Sequence, residues 1–143
     1  MKTIKRFTLL AVLICTTTSW AQTRTTVTNE NELRSAVQTD NAQIQFANDI
    51  STTSLLEIQG SRSIDLNGFT LDRGCTSRGS QVIVVRTGST LNLSNGTLTG
   101  GWGGNGGALD IETGTTVNLT DVIITVTQPM TVAAVSRTAA RSP

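Results

Sequence analysis

Two stretches decide how this chain is read: VIVVRTGSTLNLSNGTLT at residues 82–99 and ALDIETGTTVNLTDVIIT at residues 108–125. They align without a gap at an offset of 26 residues, so that Thr87-Gly88 falls on Thr113-Gly114 and Thr90-Leu91-Asn92-Leu93 falls on Thr116-Val117-Asn118-Leu119. A period in this range is the mark of stacked supersecondary units. Within each unit the aliphatic and polar residues alternate, as in Leu91-Asn92-Leu93, which places Leu on one face of a strand and Asn on the other. Gly, Asn and Ser separate these runs, and such residues mark turns. No helical stripe runs through the repeat. The expectation is therefore an all-β fold: a right-handed parallel β-helix, a solenoid of few coils with three short strands and three bends per turn. Leu93 should lie on Leu119 and Leu91 on Val117 inside, with Asn92 on Asn118 outside. Leucine-rich repeats share the alternating leucines, but need a longer second segment and a different asparagine pattern.

Outward from the repeat the pattern persists. Residues 63–71 (SIDLNGFTL) read as a strand, an Asn-Gly turn and a second strand, and Ile44-Gln45-Phe46 and Leu56-Glu57-Ile58 are earlier strand candidates. Before them, residues 31–38 suit a short helix with Leu33, Ala36 and Val37 on one face, capped by Thr28 or Asn29. A solenoid needs a cap over its first unit. The expected organisation is thus a signal peptide at 1–21, an N-terminal cap with a short helix at 22–40, coils at 41–125 with the repeat at 82–107 and 108–125, and an aberrant tail at 126–143.

The signal rests on Lys2, Lys5 and Arg6, the apolar run Phe7 to Cys15, and Ser19 and Ala21 before a cut at Gln22. The run is too short for a bilayer span, which takes ~20 apolar residues. Cys15 raises a lipoprotein alternative, against which stands the bulky Ile14. The mature chain of 122 residues would carry eight Arg, ten acids and no Lys, a net charge of −2. That disfavours nucleic-acid binding, which wants a basic face. Cys75 is its single cysteine, so no internal disulfide can staple it.

The stretch GGNGGALDIETGTTVNLTDVIIT at residues 103–125 resembles the repeats of bacterial surface proteins of the polymorphic outer-membrane protein and autotransporter-adhesin type, and IDLNGFTL at 64–71 resembles an early coil of pectin-lyase-like proteins. The resemblance covers residues 40–125. It implies export to the cell surface or medium and an adhesin- or passenger-like structural or binding role; the alternative is an N-terminal fragment of a polysaccharide lyase or other carbohydrate-active enzyme without its catalytic part. Fold alone does not fix function.

After Thr125 the glycines vanish, and Pro129 and Pro143, the two prolines of the chain, appear. Read one base out of frame, with third bases chosen, the tail can become GNTANDGGGGIKNGGTFT, which restores a turn and a glycine bend. The expectation is that 126–143 is a frameshifted, disordered tail on a truncated chain. A last coil left open would be prone to self-association.

No catalytic, cofactor-binding or metal-binding residues are assigned, and no cofactor. Asp65, Asp72, Asp110 and Asp121 are the acids a lyase would use with calcium, which wants several convergent oxygens. Asp110 and Glu112 flank Ile111 and should both face outward, below Val84 and Arg86, with Arg86 over Glu112 as a surface ion pair. Asn92, Asn95 and Asn118 match the glycosylation acceptor pattern, which arises readily in a Thr- and Asn-rich strand protein. Trp102 suits shielding of an apolar edge more than stacking on a sugar. The partner is unknown from sequence; a host-surface or glycan ligand, or a second copy, are those the reading admits.

Overall fold

The structure, a computed structural model, describes residues 23–77, 79–102, 107–126 and 135–137. The proposed signal peptide lies outside them. In chain order the elements are β1 (Arg24–Val27), α1 (Glu30–Ala36), β2 (Ala42–Phe46), β3 (Ile50–Ser51), β4 (Leu56–Ile58), β5 (Ser61–Asp65), β6 (Thr70–Asp72), β7 (Ile83–Val85), β8 (Thr90–Gly101), β9 (Leu109–Ile111), β10 (Thr116–Val126) and β11 (Val135–Arg137). They form a seven-stranded sheet in the order β1-β2-β5-β8-β6-β3, with β10 on β8, and a four-stranded sheet in the order β11-β9-β7-β4. Every ladder between these strands is parallel.

This corrects the expected all-β solenoid. The described residues form two open, parallel sheets accompanied by one helix, a parallel-sheet arrangement of the α/β type, and neither sheet closes on itself among them. The reason lies at the bends. Segments expected as separate short strands run together, as the 12-residue β8 and the 11-residue β10. Asn95 and Asp121 turn the backbone through positive φ (56° and 54°) within these strands, as Asn67 does (52°) in the earlier turn. Asn and Asp tolerate that region better than other side-chain-bearing residues, so the strand bends without losing its partner. β5 and β6 then both lie along one edge of β8, and β10 lies along the other.

The 26-residue offset appears directly in the ladder, where Val117 pairs Leu91, Asn118 pairs Asn92 and Leu119 pairs Leu93. The core is a single cluster fed by both sheets and by α1. One interior column runs Ile44, Ile64, Leu93, Leu119 across four strands. Its first three members are buried, whereas Leu119, on the last strand, is 40% exposed. Each fully buried aliphatic contributes about 1.5–3 kcal/mol.

The helix is shorter and starts earlier than the expected residues 31–38. Asn29 caps it, its side chain accepting from the Glu32 N–H at 3.0 Å, and Glu32 returns a bond to the Thr28 N–H at 2.7 Å. Seven residues cannot hold a helix alone. Leu33 and Ala36 are buried in the core, and Arg34 reaches the Ser54 and Leu55 carbonyls at 2.8 and 3.2 Å. The 22–40 segment also contains β1, which pairs β2. In the tail expected to be disordered, Val135–Arg137 forms β11 and pairs Leu109–Ile111 at the same 26-residue offset.

Candidate functional site on the outer polar face

Alternation along β2, β5 and β8 sends one set of side chains into the core and the other onto an outer face. Parallel register then aligns the outer set into rows. One row runs Arg24, Gln43, Ser63, Asn92, Asn118, and the next runs Thr26, Gln45, Asp65, Ser94, Thr120. In the first row Asn118 Nδ2 donates to Asn92 Oδ1 at 2.8 Å, and Asn92 Nδ2 donates to Ser63 Oγ at 3.2 Å. In the second, Asp65 gathers donors: the Asn67 N–H at 2.9 Å, Asn95 Nδ2 at 3.0 Å, Gln45 Nε2 at 3.3 Å, and the Arg24 guanidinium at 3.7 Å.

Between these rows lies a cavity of about 230 Å³, lined among others by Arg24, Ser63, Asp65, Asn92, Ser94 and Asn95. A second cavity of about 190 Å³ adjoins it and shares Gln43, Ser63 and Asn92. The walls offer amides, hydroxyls, the Asp65 carboxylate and two guanidinium groups, Arg24 in the first cavity and Arg62 in the second. Such a set can hold a ligand rich in donors and acceptors.

The other acids considered from sequence do not gather here. Asp72 Oδ1 accepts from the Gly74 N–H at 2.8 Å at the end of β6. Asp110 lies on β9, where it pairs Val84, and Asp121 sits at the bend in β10. Among the described residues no group of three or more His, Cys, Asp or Glu side chains is placed to hold a metal ion. Glu112 meets Arg86 at 2.7 Å, the ion pair expected across the repeat, and also accepts from the Thr87 N–H at 2.9 Å. Arg86 further contacts Glu57. The Arg86 hydrogen bond, then that of Thr87, holds the Glu112 carboxyl below its ordinary range, and the two glutamates raise Arg86. The amides of Asn92, Asn95 and Asn118, the three sequons, are each spent on the bonds above.

Trp102 is half-buried, and its backbone exchanges two 2.8 Å hydrogen bonds with Ser80 in an isolated antiparallel bridge. Its indole N–H is buried without a partner among the described residues. The glycines at 103–106 lie outside those residues. Cys75 is a free, partly exposed thiol.

Arg62 was missed by sequence reasoning. It occupies an interior register position, aligned with Ala42 and Leu91, and is 5% exposed. Its Nε donates to the Val37 carbonyl at the end of α1 at 2.7 Å, and its terminal nitrogen donates to Asp40 Oδ1 at 2.7 Å. Counting back two residues from Ile64 finds that inward position. Arg24, Gln43 and Gln45 were also missed. Gln45 alternates with Ile44 and Phe46, but nothing in sequence joins it to Asp65.

No known protein family, curated protein or solved structure matches the chain.

Proposed function

We propose that this chain is an exported surface or secreted protein with a structural or binding role, of the kind its resemblance to bacterial surface-protein repeats implies, and that it is not an enzyme. The observation that carries the reading is the register of the repeat. Asn92 lies on Asn118 and joins it through an amide hydrogen bond, while the aliphatic residues between them line up on the opposite side. Repetition of one strand upon another makes a stiff polar face that a binding or spacing role can use.

The acids support the same reading. Asp65 is bonded on both oxygens, and Glu112 is held charged by Arg86. A general acid at neutral pH needs a carboxyl raised toward the working pH, the opposite of the shift at Glu112. These carboxylates act as struts between neighbouring strands.

The test is to follow the chain in the cells that make it. Expected is recovery from the surface or the medium with a mature N-terminus at Gln22, read by mass spectrometry. Retention in the cytoplasm with the leader intact would overturn the proposal.

A further inference from the structure

We infer that the outer face of β5 and β8 carries a two-subsite pocket for a neutral glycan, an inference that rests on the binding role proposed above. The first subsite is the cavity between the rows of Ser63 and Asp65, and the second is its neighbour across the row of Gln43, Ser63 and Asn92. The two flank one row of side chains, so they are displaced along the strands by one step of alternation, about 6.6 Å at the rise of a parallel strand. A ligand that fills both has at least two linked units.

Charge selects the ligand class. The first cavity holds one guanidinium and one carboxylate, and these already face each other. The second is lined by the Arg62 guanidinium, which is likewise already paired, with Asp40 Oδ1 at 2.7 Å. An anion at Arg24 would meet Asp65, and a cation at Asp65 would meet Arg24. A neutral polyol suffers neither repulsion. Its hydroxyls can donate to the carboxylate and accept from the amides and the guanidinium.

The site is also ordered before any ligand arrives. Asp65, with its side chain 21% exposed, is fixed by the Asn67 backbone and by Gln45 and Asn95. Asn92 is fixed by Ser63 and Asn118. Ser94 lies beside Asp65 in register with it, and its hydroxyl has no partner among the described residues. A fixed frame reduces the ordering cost of binding.

The experiment titrates the purified full chain with neutral hexasaccharides of glucose, mannose and galactose, and with hexagalacturonate as the anionic comparison. Expected is calorimetric binding of at least one neutral hexasaccharide in preference to hexagalacturonate. Ser94→Tyr, which fills the first cavity, and Asn92→Ala, which touches both, should each weaken it about tenfold or more, with the circular dichroism of the parent chain. Asp65→Asn should weaken it as well, because a hydrogen bond to a charged group is worth more than a neutral one. The inference is overturned if no neutral hexasaccharide binds, if hexagalacturonate binds better, or if folded Ser94→Tyr and Asn92→Ala bind like the parent. A chain that is exported but binds no glycan leaves the proposed function standing without this site. Release of new reducing ends during the titration would instead overturn the non-enzymatic reading.

Discussion

Arg62 is a guanidinium placed where an aliphatic residue would ordinarily sit, and its partners explain why it stays. It closes the C-terminal end of α1 through the Val37 carbonyl and ties that end to Asp40. Helix ends leave carbonyls unsatisfied, and a cation at a helix C-terminus is favourable. Arg62→Ala should therefore cost about 2–3 kcal/mol, the range for a hydrogen bond to a charged group plus an orphaned buried carbonyl. Urea unfolding of the variant measures it, and a loss under about 0.5 kcal/mol would show the contact to be incidental. The carboxylates around the molecule set its response to acid. Asp40 is lowered by the Ser61 N–H and by Arg62, Glu32 by the Thr28 backbone and hydroxyl, and Glu112 by Arg86 and Thr87. Burial pushes Glu30 up, but Arg34 and Thr53 outweigh it and its net shift is also downward. A depressed folded-state value means stability that is fully present above the ordinary values of 4.5 for Glu and 3.8 for Asp, and lost as pH falls through the lower folded values. The urea midpoint should thus hold steady from neutrality to about pH 5 and fall below pH 4. Glu112→Gln should flatten part of that fall; an unchanged acid limb would mean that the Arg86 pair contributes nothing.

The elements show which parts of the fold a sequence can disclose. The 26-residue repeat gave the register of β10 on β8 and the meeting of Arg86 with Glu112, because identical residues at a fixed offset must occupy equivalent places. The helix was legible from Asn29 and the Leu33, Ala36 spacing. What was not legible is continuity. Asn95 and Asp121 look like strand breakers, yet they bend β8 and β10 without ending them. That difference separates short strands wound in coils from long strands in open sheets, and it depends on hydrogen bonds to neighbouring strands rather than on local propensity. The polar site was half legible: alternation placed Asn92 outward, but its closeness to Asp65 arises from a pairing between β5 and β8 at an irregular offset of 29 residues. Two substitutions probe the element scale. Asn29→Ala removes the cap of α1 and should cost about 1 kcal/mol, read as a lower urea midpoint. Gly96 follows the bend in β8, and a Cβ there would run into the Leu66 side chain and the Phe69 carbonyl. Gly96→Ala should cost about 1–3 kcal/mol through overpacking, and a neutral result would mean that the Phe69 turn yields freely.

At the scale of the whole molecule the two long edges of the larger sheet differ. At one end β1 is accompanied by α1, whose Leu33 joins the core. At the other end β10 pairs β8 on one side and has no strand on the other among the described residues. Along it Ile123 is 65% exposed and Leu119 40% exposed, and Asp121 is the only charge. Natural sheets blunt such edges with charge, proline or cover, because an open edge with apolar side chains templates pairing with another chain. Inward Val117 and Leu119 lie on Leu91 and Leu93, which are both buried, so an added strand would extend a core that already exists. The chain should therefore self-associate as its concentration rises, by contact along β10. Sedimentation velocity across a hundredfold range should show a growing fraction above the monomer, and Ile123→Lys should return most of it to monomer without altering the urea midpoint. Leu119→Lys should do the same at some cost in stability, since Leu119 is the more buried of the two. Because the glycan site faces outward from β5 and β8 rather than along the β10 edge, Ile123→Lys should leave hexasaccharide binding within about twofold. A variant that stays oligomeric after Ile123→Lys would place the contact elsewhere on the molecule, and joint loss of oligomer and glycan binding would mean that the pocket is completed by a second copy.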